Sequence, residues 1–390
     1  MDPLFLANIL ALLLSFFVVG LLLGVAFSKP VREKVAEFVA KFIRRDLRLA
    51  RIVYNPVLQP GDTPWTAEAV LNPAAVDLGG RVHLLYRAIG MDGVSRLGYA
   101  SSPNGLLFDD RPPYPAYLAQ NPRQGFAGAR RYSPVLYPSG GSWGGCEDPR
   151  MVVLGGRVYL TYNAFDGWDF IRVALTSIPV EDFLAKRFYK WSTPKLISPA
   201  GQIHKNWVLF PEKIGGKFAI LHNLHGTSPD RVRVEYVEDP DEFDPDERGI
   251  ESPSPASQAP RSIAWHSRMR GAGPPPLRTG KGWLVLYHAT SEREGHRYQL
   301  GAMLLDTDDP EKVIARAHAP VLSPDEWYEN DGKPGIVYAC GALIRGDTLH
   351  VYYGGGDKVV CVATAALPAF LEALLAGGDS PLASAPLKAA

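Results

Sequence analysis

The sequence predicts an all-β fold, a five-bladed β-propeller preceded by an N-terminal transmembrane helix. Three observations lead to this prediction: a short phrase that returns five times, a composition rich in glycine, proline and aromatic residues, and one long uncharged apolar segment. The predicted domains are a transmembrane anchor at 4–28, a basic amphipathic helix at 29–51, the five-bladed propeller at 52–370 and a flexible tail at 371–390.

The repeated phrase is a glycine-containing turn followed by an apolar run that ends in a tyrosine or another polar residue. One such phrase indicates only a hairpin, but five in series at a near-regular interval are typical of stacked repeat units. In a propeller the innermost strands line a central funnel, so we expect the ends of the five runs to converge there. The runs occupy 79–87, 155–163, 215–223, 280–288 and 345–353, and end in Arg87, Asn163, Asn223, His288 and Tyr353.

Composition limits both the fold class and the partners. The chain has 38 glycines, 34 prolines, 17 tyrosines and 8 tryptophans, which suits many short strands joined by turns. Its 41 basic and 41 acidic residues cancel, so the net charge does not indicate a nucleic-acid partner. The three cysteines have no metal-like spacing, and therefore indicate neither a disulfide framework nor a zinc site.

The N-terminal segment predicts a retained membrane anchor. Residues 4–28 contain no charge and, as a helix, are long enough to cross a hydrocarbon core of ~30 Å. The N-terminus lacks the basic residues of a cleaved signal peptide. Because the nearby positive charge follows the span, the positive-inside rule predicts a single-pass membrane protein whose main domain is cytoplasmic.

Residues 29–51 form a second predicted helix. They include eight basic and three acidic residues, and their apolar residues recur at helical spacing. Such a helix either lies on an anionic membrane surface or packs against the propeller, and the sequence leaves both alternatives open.

One non-repeating motif has the residues for acid–base chemistry. Glu147 and Asp148 are adjacent and are followed by Pro149 and Arg150. Because neighbouring side chains of a strand point to opposite faces, the pair can supply one acid and one ligand-binding group. These four residues alone are equally compatible with a structural turn.

The same motif is also part of an ordered series of motifs. The others lie at 205–217, 271–276, 298–306, 309–314, 340–341 and 353–357. In this order they resemble glycoside hydrolase family 130, which comprises inverting β-mannoside phosphorylases and some hydrolases on a five-bladed propeller. The resemblance extends from about Asn55 to Leu367.

The resemblance implies roles for individual residues. Asp148 matches the family's proton donor, which acts through a substrate hydroxyl. Phosphate is itself the nucleophile, so inorganic phosphate is a co-substrate and no metal or other cofactor is implied. The implied mannosyl-binding residues are Asn72, Arg87, Arg96, Glu147 and Asp357. Lys205 and His288 match phosphate contacts, and Arg268 and Arg270 flank the place of a further one.

The sequence departs from the family pattern at two phosphate-binding positions. Asn223 stands where the phosphorylases have an arginine, and Met269 where they have a lysine. Our first hypothesis is a phosphorylase that converts a β-mannoside oligosaccharide or glycoconjugate and phosphate to α-mannose 1-phosphate, reversibly. The alternatives are a β-mannoside hydrolase or mannosyltransferase, with Glu292 and Glu294 as candidate bases for hydrolysis, and a non-catalytic glycan-binding propeller.

Overall fold

β-Strands make up most of the structure, which is a computed structural model. It contains strands β1 to β19, a five-residue helix α1 (Val180–Leu184) and an 11-residue helix α2 (Leu367–Gly377). The described residues are 47–118, 131–167, 170–224, 231–240, 242–248, 250, 265–266, 268–291 and 294–377.

The first two blades share one seven-stranded sheet, because a short parallel pairing of residues 94–95 with residues 144–145 joins them. Within each blade the strands are antiparallel. Blade 1 comprises β2 (Ala69–Leu78), β3 (Arg81–Ile89) and β4 (Val94–Ser102), and blade 2 comprises β5 (Gly144–Leu154), β6 (Arg157–Asp166), β7 (Ile171–Pro179) and β8 (Lys195–Leu196).

The remaining three blades are separate sheets. Blade 3 comprises β9 (Val208–Leu209), β10 (Phe218–Asn223) and β11 (Arg233–Val237). Blade 4 comprises β12 (Arg268–Ala272), β13 (Leu277–Thr279), β14 (Gly282–Thr290), β15 (Gln299–Leu305) and β16 (Val313–Arg316). Blade 5 comprises β17 (Val337–Arg345), β18 (Thr348–Gly355), β19 (Val359–Ala366) and, from the N-terminal side, β1 (Ala50–Arg51).

The five blades close into a ring. Each blade contacts the next through its early strands, and β17 of blade 5 contacts β2 of blade 1. Strand β1 pairs with β19, so the beginning of the described chain completes the last blade. The arrangement is a five-bladed β-propeller, as the repeats predicted.

The core explains why the strands are apolar on both faces. Alternate side chains of a strand point to opposite faces, and in a propeller each face packs against a different neighbouring blade. In β14, Trp283 and Val285 belong to the cluster shared with blade 3, whereas Leu284 and Leu286 belong to the cluster shared with blade 5. Comparable clusters fill the other three interfaces between blades.

The innermost strand of each blade is not the predicted one. The glycine turn joins the first strand of a blade to the second, so the repeated runs form β3, β6, β10, β14 and β18, each the second strand. Four of the first strands contain a β-bulge, after Leu71, Glu147, Met269 and Ala339. A bulge inserts an extra residue and redirects its side chain.

The membrane predictions are corrected. The predicted span, 4–28, lies outside the described residues, and in the part of the chain that the structure describes no helix is long and apolar enough to cross a bilayer. A spanning helix needs about 20 apolar residues, whereas α1 has 5 and α2 has 11. We therefore withdraw the transmembrane helix, the membrane as a partner and the single-pass cytoplasmic placement.

Both ends of the described chain differ in detail from the predicted boundaries. Most of the predicted helix at 29–51 lies outside the described residues, and its last two residues form β1, a strand. Helix α2 continues to Gly377, so it includes the beginning of the predicted tail. Residues 378–390 lie outside the described residues.

Candidate active site

A polar cavity of about 250 Å³ lies at the bulged ends of the first strands. Its lining contains four cationic side chains and two carboxylates, an excess of two positive charges. All five blades or the segments next to them contribute: the lining residues are Asn72, Arg87, Pro138, Ser139, Gly140, Asp148, Lys205, Asn206, Arg270, Tyr298, Lys333, Ile336, Tyr338 and Asp357.

Arg87 and Glu147 form a buried ion pair beside this cavity. Arg87 Nη2 donates to Glu147 Oε1 at 2.9 Å, and its Nε donates to Ser95 Oγ at 2.8 Å. The second carboxylate oxygen of Glu147 lies 3.1 Å from Lys205 Nζ and accepts a hydrogen bond from Ser139 Oγ at 2.7 Å. Glu147 is completely buried, so it holds two cations of the site in place.

Asp148 is the carboxylate at the centre of the site. Its Oδ1 accepts from Asn72 Nδ2 at 2.7 Å and from Arg87 Nη1 at 3.2 Å, and its Oδ2 accepts from Asn163 Nδ2 at 3.4 Å. Burial alone would raise the pKa of Asp148, but the charges of Arg87, Arg150 and Lys205 outweigh burial and lower it. The free site therefore holds Asp148 as a carboxylate.

Asn72 and Asp148 share an unusual backbone. Both have a positive φ, 48° and 49°, and both precede a proline at the bulge of a first strand. Asparagine and aspartate tolerate this left-handed conformation better than other residues with side chains. The bulges thus bring the Asn72 amide and the Asp148 carboxylate into contact from adjacent blades.

Arg150 connects Asp148 to blade 4. Its Nη1 donates to the backbone carbonyl of Asp148 at 2.7 Å, and its Nε and Nη2 donate to the carbonyls of Gly273 and Ala272 at 3.2 and 3.3 Å. The side chain is buried, and neutral carbonyl oxygens accept all three bonds. Arg150 belongs to the sequence motif of Glu147 and Asp148, but no role was predicted for it.

Asp357 is the second carboxylate of the cavity. It lies in the turn between β18 and β19, and its Oδ2 is 3.5 Å from Lys333 Nζ. Burial raises the pKa of Asp357, and the charges of Lys333 and Arg87 oppose this effect without cancelling it. Lys333 also donates to the carbonyl of Pro138 at 2.8 Å, and nothing in the sequence pattern pointed to it.

Of the predicted phosphate-binding residues, Lys205 and Arg270 line the cavity. Arg270 Nε donates to Thr290 Oγ1 at 3.2 Å, and its guanidinium carbon lies 5.7 Å from the centre of the Tyr298 ring. Arg268 is exposed on the same strand and does not line the cavity.

His288 lies behind the cavity wall and not in the lining. Its ring stacks on Tyr338 with the centroids 3.8 Å apart, and its Nε2 accepts the N–H of Ala339 at 3.0 Å. Burial lowers the pKa of His288 to about 3, so the ring is neutral at pH 7. The buried Nδ1 has no hydrogen-bond partner among the described residues, and His288 contributes no charge to the cavity.

The two departures from the family pattern lie together. Asn223 and Met269 line a smaller cavity that shares Lys205 and Arg270 with the first. Met269 is buried in the apolar cluster between blades 3 and 4, and its sulfur accepts a hydrogen bond from Arg316 Nη1 at 3.2 Å. A lysine at position 269 would therefore enter an apolar cluster next to another cation.

Two other predicted residues, Arg96 and Glu294, are not part of the cavity lining. Arg96 is held at the edge of blade 1 by an ion pair with Asp92, 2.5 Å between Arg96 Nη2 and Asp92 Oδ2. Glu294 is exposed and close to Arg297, and Glu292 lies outside the described residues. Neither glutamate is thus placed as a base by the described geometry.

The amide groups and tyrosines of the site were only partly predicted from the sequence. Asn163 is the end of a repeated run, and its Oδ1 accepts the N–H of Asn206 at 3.0 Å. Tyr338 donates to Asn206 Oδ1 at 3.0 Å, and neither Tyr298 nor Tyr338 was predicted. Within the described ranges no group of three His, Cys, Asp or Glu side chains is arranged to hold a metal ion.

Comparison with known proteins gives a consistent result over most of the chain. The model of glycoside hydrolase family 130, described as beta-1,4-mannooligosaccharide phosphorylase, matches residues 46–374. A 1,2-beta-oligomannan phosphorylase of Thermoanaerobacter sp. is 34% identical over 330 residues, which are 81% of this chain and 97% of that protein. A beta-1,2-mannobiose phosphorylase of the same organism is 29% identical over 81% of this chain and 96% of its own length.

The fold is also found among solved structures. The structure of beta-1,2-mannobiose phosphorylase from Listeria innocua, in complex with beta-1,2-mannobiose, superposes with a TM-score of 0.59. The two proteins are 22% identical, and the match covers 84% of this chain and 99% of the other.

Proposed function

The chain belongs to glycoside hydrolase family 130, and we propose that it is an inverting β-mannoside phosphorylase. It would convert a β-mannoside and phosphate to an alcohol and α-mannose 1-phosphate, in a reversible reaction. The names of the two Thermoanaerobacter relatives make β-1,2-linked oligomannosides the first substrates to test.

The observation that supports phosphorolysis best is the positive charge of the cavity next to its acid. Lys205 and Arg270 line one side of the cavity, and the lining as a whole has two more cations than carboxylates. A cationic site of this kind favours a dianionic co-substrate, and charge-assisted hydrogen bonds to phosphate are among the stronger ones in proteins. Water is a neutral nucleophile and would gain less from this charge than a phosphate dianion would.

The remaining side chains suit a mannosyl unit. Asn72 lines the cavity next to Asp148, and its buried Oδ1 has no hydrogen-bond partner among the described residues. Arg87 reaches the cavity from the same blade as Asn72, and Asp357 reaches it from blade 5, which contacts that blade. An inverting phosphorylase needs one acid, which we assign to Asp148, while phosphate attacks from the opposite face of the ring.

A product analysis tests this function. The full-length protein is incubated with β-1,2- and β-1,4-mannobiose, with and without phosphate, and both mannose and mannose 1-phosphate are measured. We expect mannose 1-phosphate with phosphate and no turnover without it. Because Asn223 and Met269 remove two charges of the family's phosphate site, hydrolysis is the second candidate. Mannose release at a rate independent of phosphate would replace phosphorolysis by hydrolysis.

The neighbouring arginines of β12 give a matched pair of variants for the phosphate site. We expect Arg270→Met to raise the KM for phosphate about 10- to 100-fold, since a hydrogen bond to a charged group contributes about 1.5–3 kcal/mol. The KM for the mannoside should change less. Arg268→Met, on the same strand but away from the cavity, should leave both constants within about twofold. Equal effects of the two variants on phosphate KM would exclude Arg270 as a phosphate ligand.

A further inference from the structure

The free site is built for an ionised Asp148. The three side chains that hydrogen-bond to its carboxylate, Asn72, Arg87 and Asn163, all donate. The orientation of the Asn163 amide is fixed because its oxygen accepts the N–H of Asn206. A proton on the Asp148 carboxyl would face donors on both oxygens, yet the proposed reaction needs that proton.

We propose that phosphate itself protonates the site: its binding neutralises the cations around Asp148, and the carboxylate then takes up the proton that the leaving group requires. This inference rests on the proposed function, and it makes phosphate the switch for the acid as well as the nucleophile.

The cations that phosphate would neutralise lie on three separate elements. Arg87 extends from β3, Arg150 from β5, and Lys205 from the segment before β9. Arg87 and Lys205 share the carboxylate of Glu147, whereas the hydrogen bonds of Arg150 go to neutral carbonyl oxygens. A bound anion would therefore balance the positive charge of Arg87, Arg150 and Lys205.

Two opposing influences on the pKa of Asp148 decide whether phosphate binding raises or lowers that pKa. Burial raises the pKa of its carboxyl, and the three cations lower it. Two negative charges bound beside Lys205 and Arg270 cancel most of the cationic influence, and burial then prevails. The pKa of Asp148 rises, and the proton is held in the ground-state complex.

Other titratable groups face Asp148 and have to be distinguished from it. Glu147 is adjacent but shares its carboxylate with Arg87 and Lys205. Asp357, from the turn between β18 and β19, has a raised pKa and is the alternative proton acceptor. His288 on β14 and Cys340 on β17 are buried, Tyr338 on β17 is half-buried, and all three are neutral at pH 7.

The proposed steps balance. Dihydrogen phosphate enters and gives one proton to Asp148, which leaves bound hydrogen phosphate and a neutral carboxyl. A phosphate oxygen then forms the bond to the mannosyl anomeric carbon as the glycosidic bond breaks. The proton of Asp148 passes to the departing oxygen, directly or through a sugar hydroxyl, and the products are an alcohol and the mannose 1-phosphate monoanion.

Sulfate provides a probe that separates the protein's proton from that of phosphate. Sulfate is a dianion of similar shape that does not titrate near neutral pH, so any proton taken up when it binds goes to the protein. Calorimetric titration in two buffers with different ionisation enthalpies counts that proton. At pH 7 we expect the wild type to gain up to about one proton for each sulfate that binds.

Two variants identify the group that takes the proton. Asp148→Asn should bind sulfate without proton uptake and with an affinity that does not change with pH. Asp357→Asn should keep the uptake. In the wild type the Kd for sulfate should rise by up to about tenfold per pH unit between the lowered pKa of Asp148 in the free site and its raised pKa in the complex, because only there does the complex hold a proton that the free site lacks.

The outcomes separate this inference from the proposed function. Binding of sulfate or phosphate with the same proton uptake in the wild type and in Asp148→Asn would overturn the inference, while phosphorolysis could still be measured. Binding of neither anion, together with phosphate-independent release of mannose, would overturn the proposed function and the inference with it.

Discussion

Asp148→Asn is expected to lower kcat for phosphorolysis by about 10²- to 10⁴-fold, the usual contribution of a general acid. The amide has nearly the same volume as the carboxyl but no transferable proton. Asparagine also tolerates the left-handed backbone of this position, where φ is 49°, so the bulge is retained. Rates are measured as mannose 1-phosphate formed at saturating phosphate and mannoside.

The control for this prediction is Asp109→Asn. Asp109 is an exposed aspartate that pairs with Arg81 on the surface, and its substitution should change kcat by less than twofold. Thermal unfolding of both variants should resemble that of the wild type. A folded Asp148→Asn variant that retains more than a tenth of the wild-type kcat would contradict our assignment of the acid.

Arg87→Met should destabilise the fold by about 3–5 kcal/mol, as expected when one partner of a buried ion pair is removed. Glu147 is completely buried, and Arg87 is 2% exposed. After the substitution Lys205, Ser139 and Ser142 are the described residues that still hydrogen-bond to the Glu147 carboxylate. The free energy of unfolding is obtained from urea denaturation of the full-length protein.

Arg96→Met is the matched control, because Arg96 belongs to the next strand of the same blade and forms a partly exposed ion pair with Asp92. It should cost at most about 1 kcal/mol. If the buried charge is the cause, adding Glu147→Gln to Arg87→Met should restore part of the lost stability. Equal stabilities of Arg87→Met and Arg96→Met would show that the buried ion pair contributes no more to the free energy of unfolding than the partly exposed one.

The sequence by itself determined the number of blades and predicted which residue is the acid. The repeated glycine turns mark one hairpin in each blade, and the number of such local units can be read directly along the chain. Asp148 was found through a motif whose residues are adjacent in the sequence. Both patterns consist of residues that are close together in the sequence, so they can be recognised without knowing how the strands pack.

Only the tertiary structure decided which strands surround the axis and which side chains enter the cavity. The repeats suggested that β3, β6, β10, β14 and β18 are innermost, but each follows another strand of its own blade. Lys333 and Tyr338 come from parts of the chain without a recognisable motif, and ring closure brings them to the site.

The two arginines of β12 show most directly why the side chains that enter the cavity could not be predicted from the sequence. Strict alternation along a strand would put Arg268 and Arg270 on the same face, and the family resemblance predicted a phosphate contact for both because they flank Met269. The structure places a bulge between Met269 and Gly271, which leaves Arg270 as the extra residue, and of the two arginines it is Arg270 that lines the cavity. Bulges depend on pairing with a neighbouring strand, and no pattern within one strand reports them.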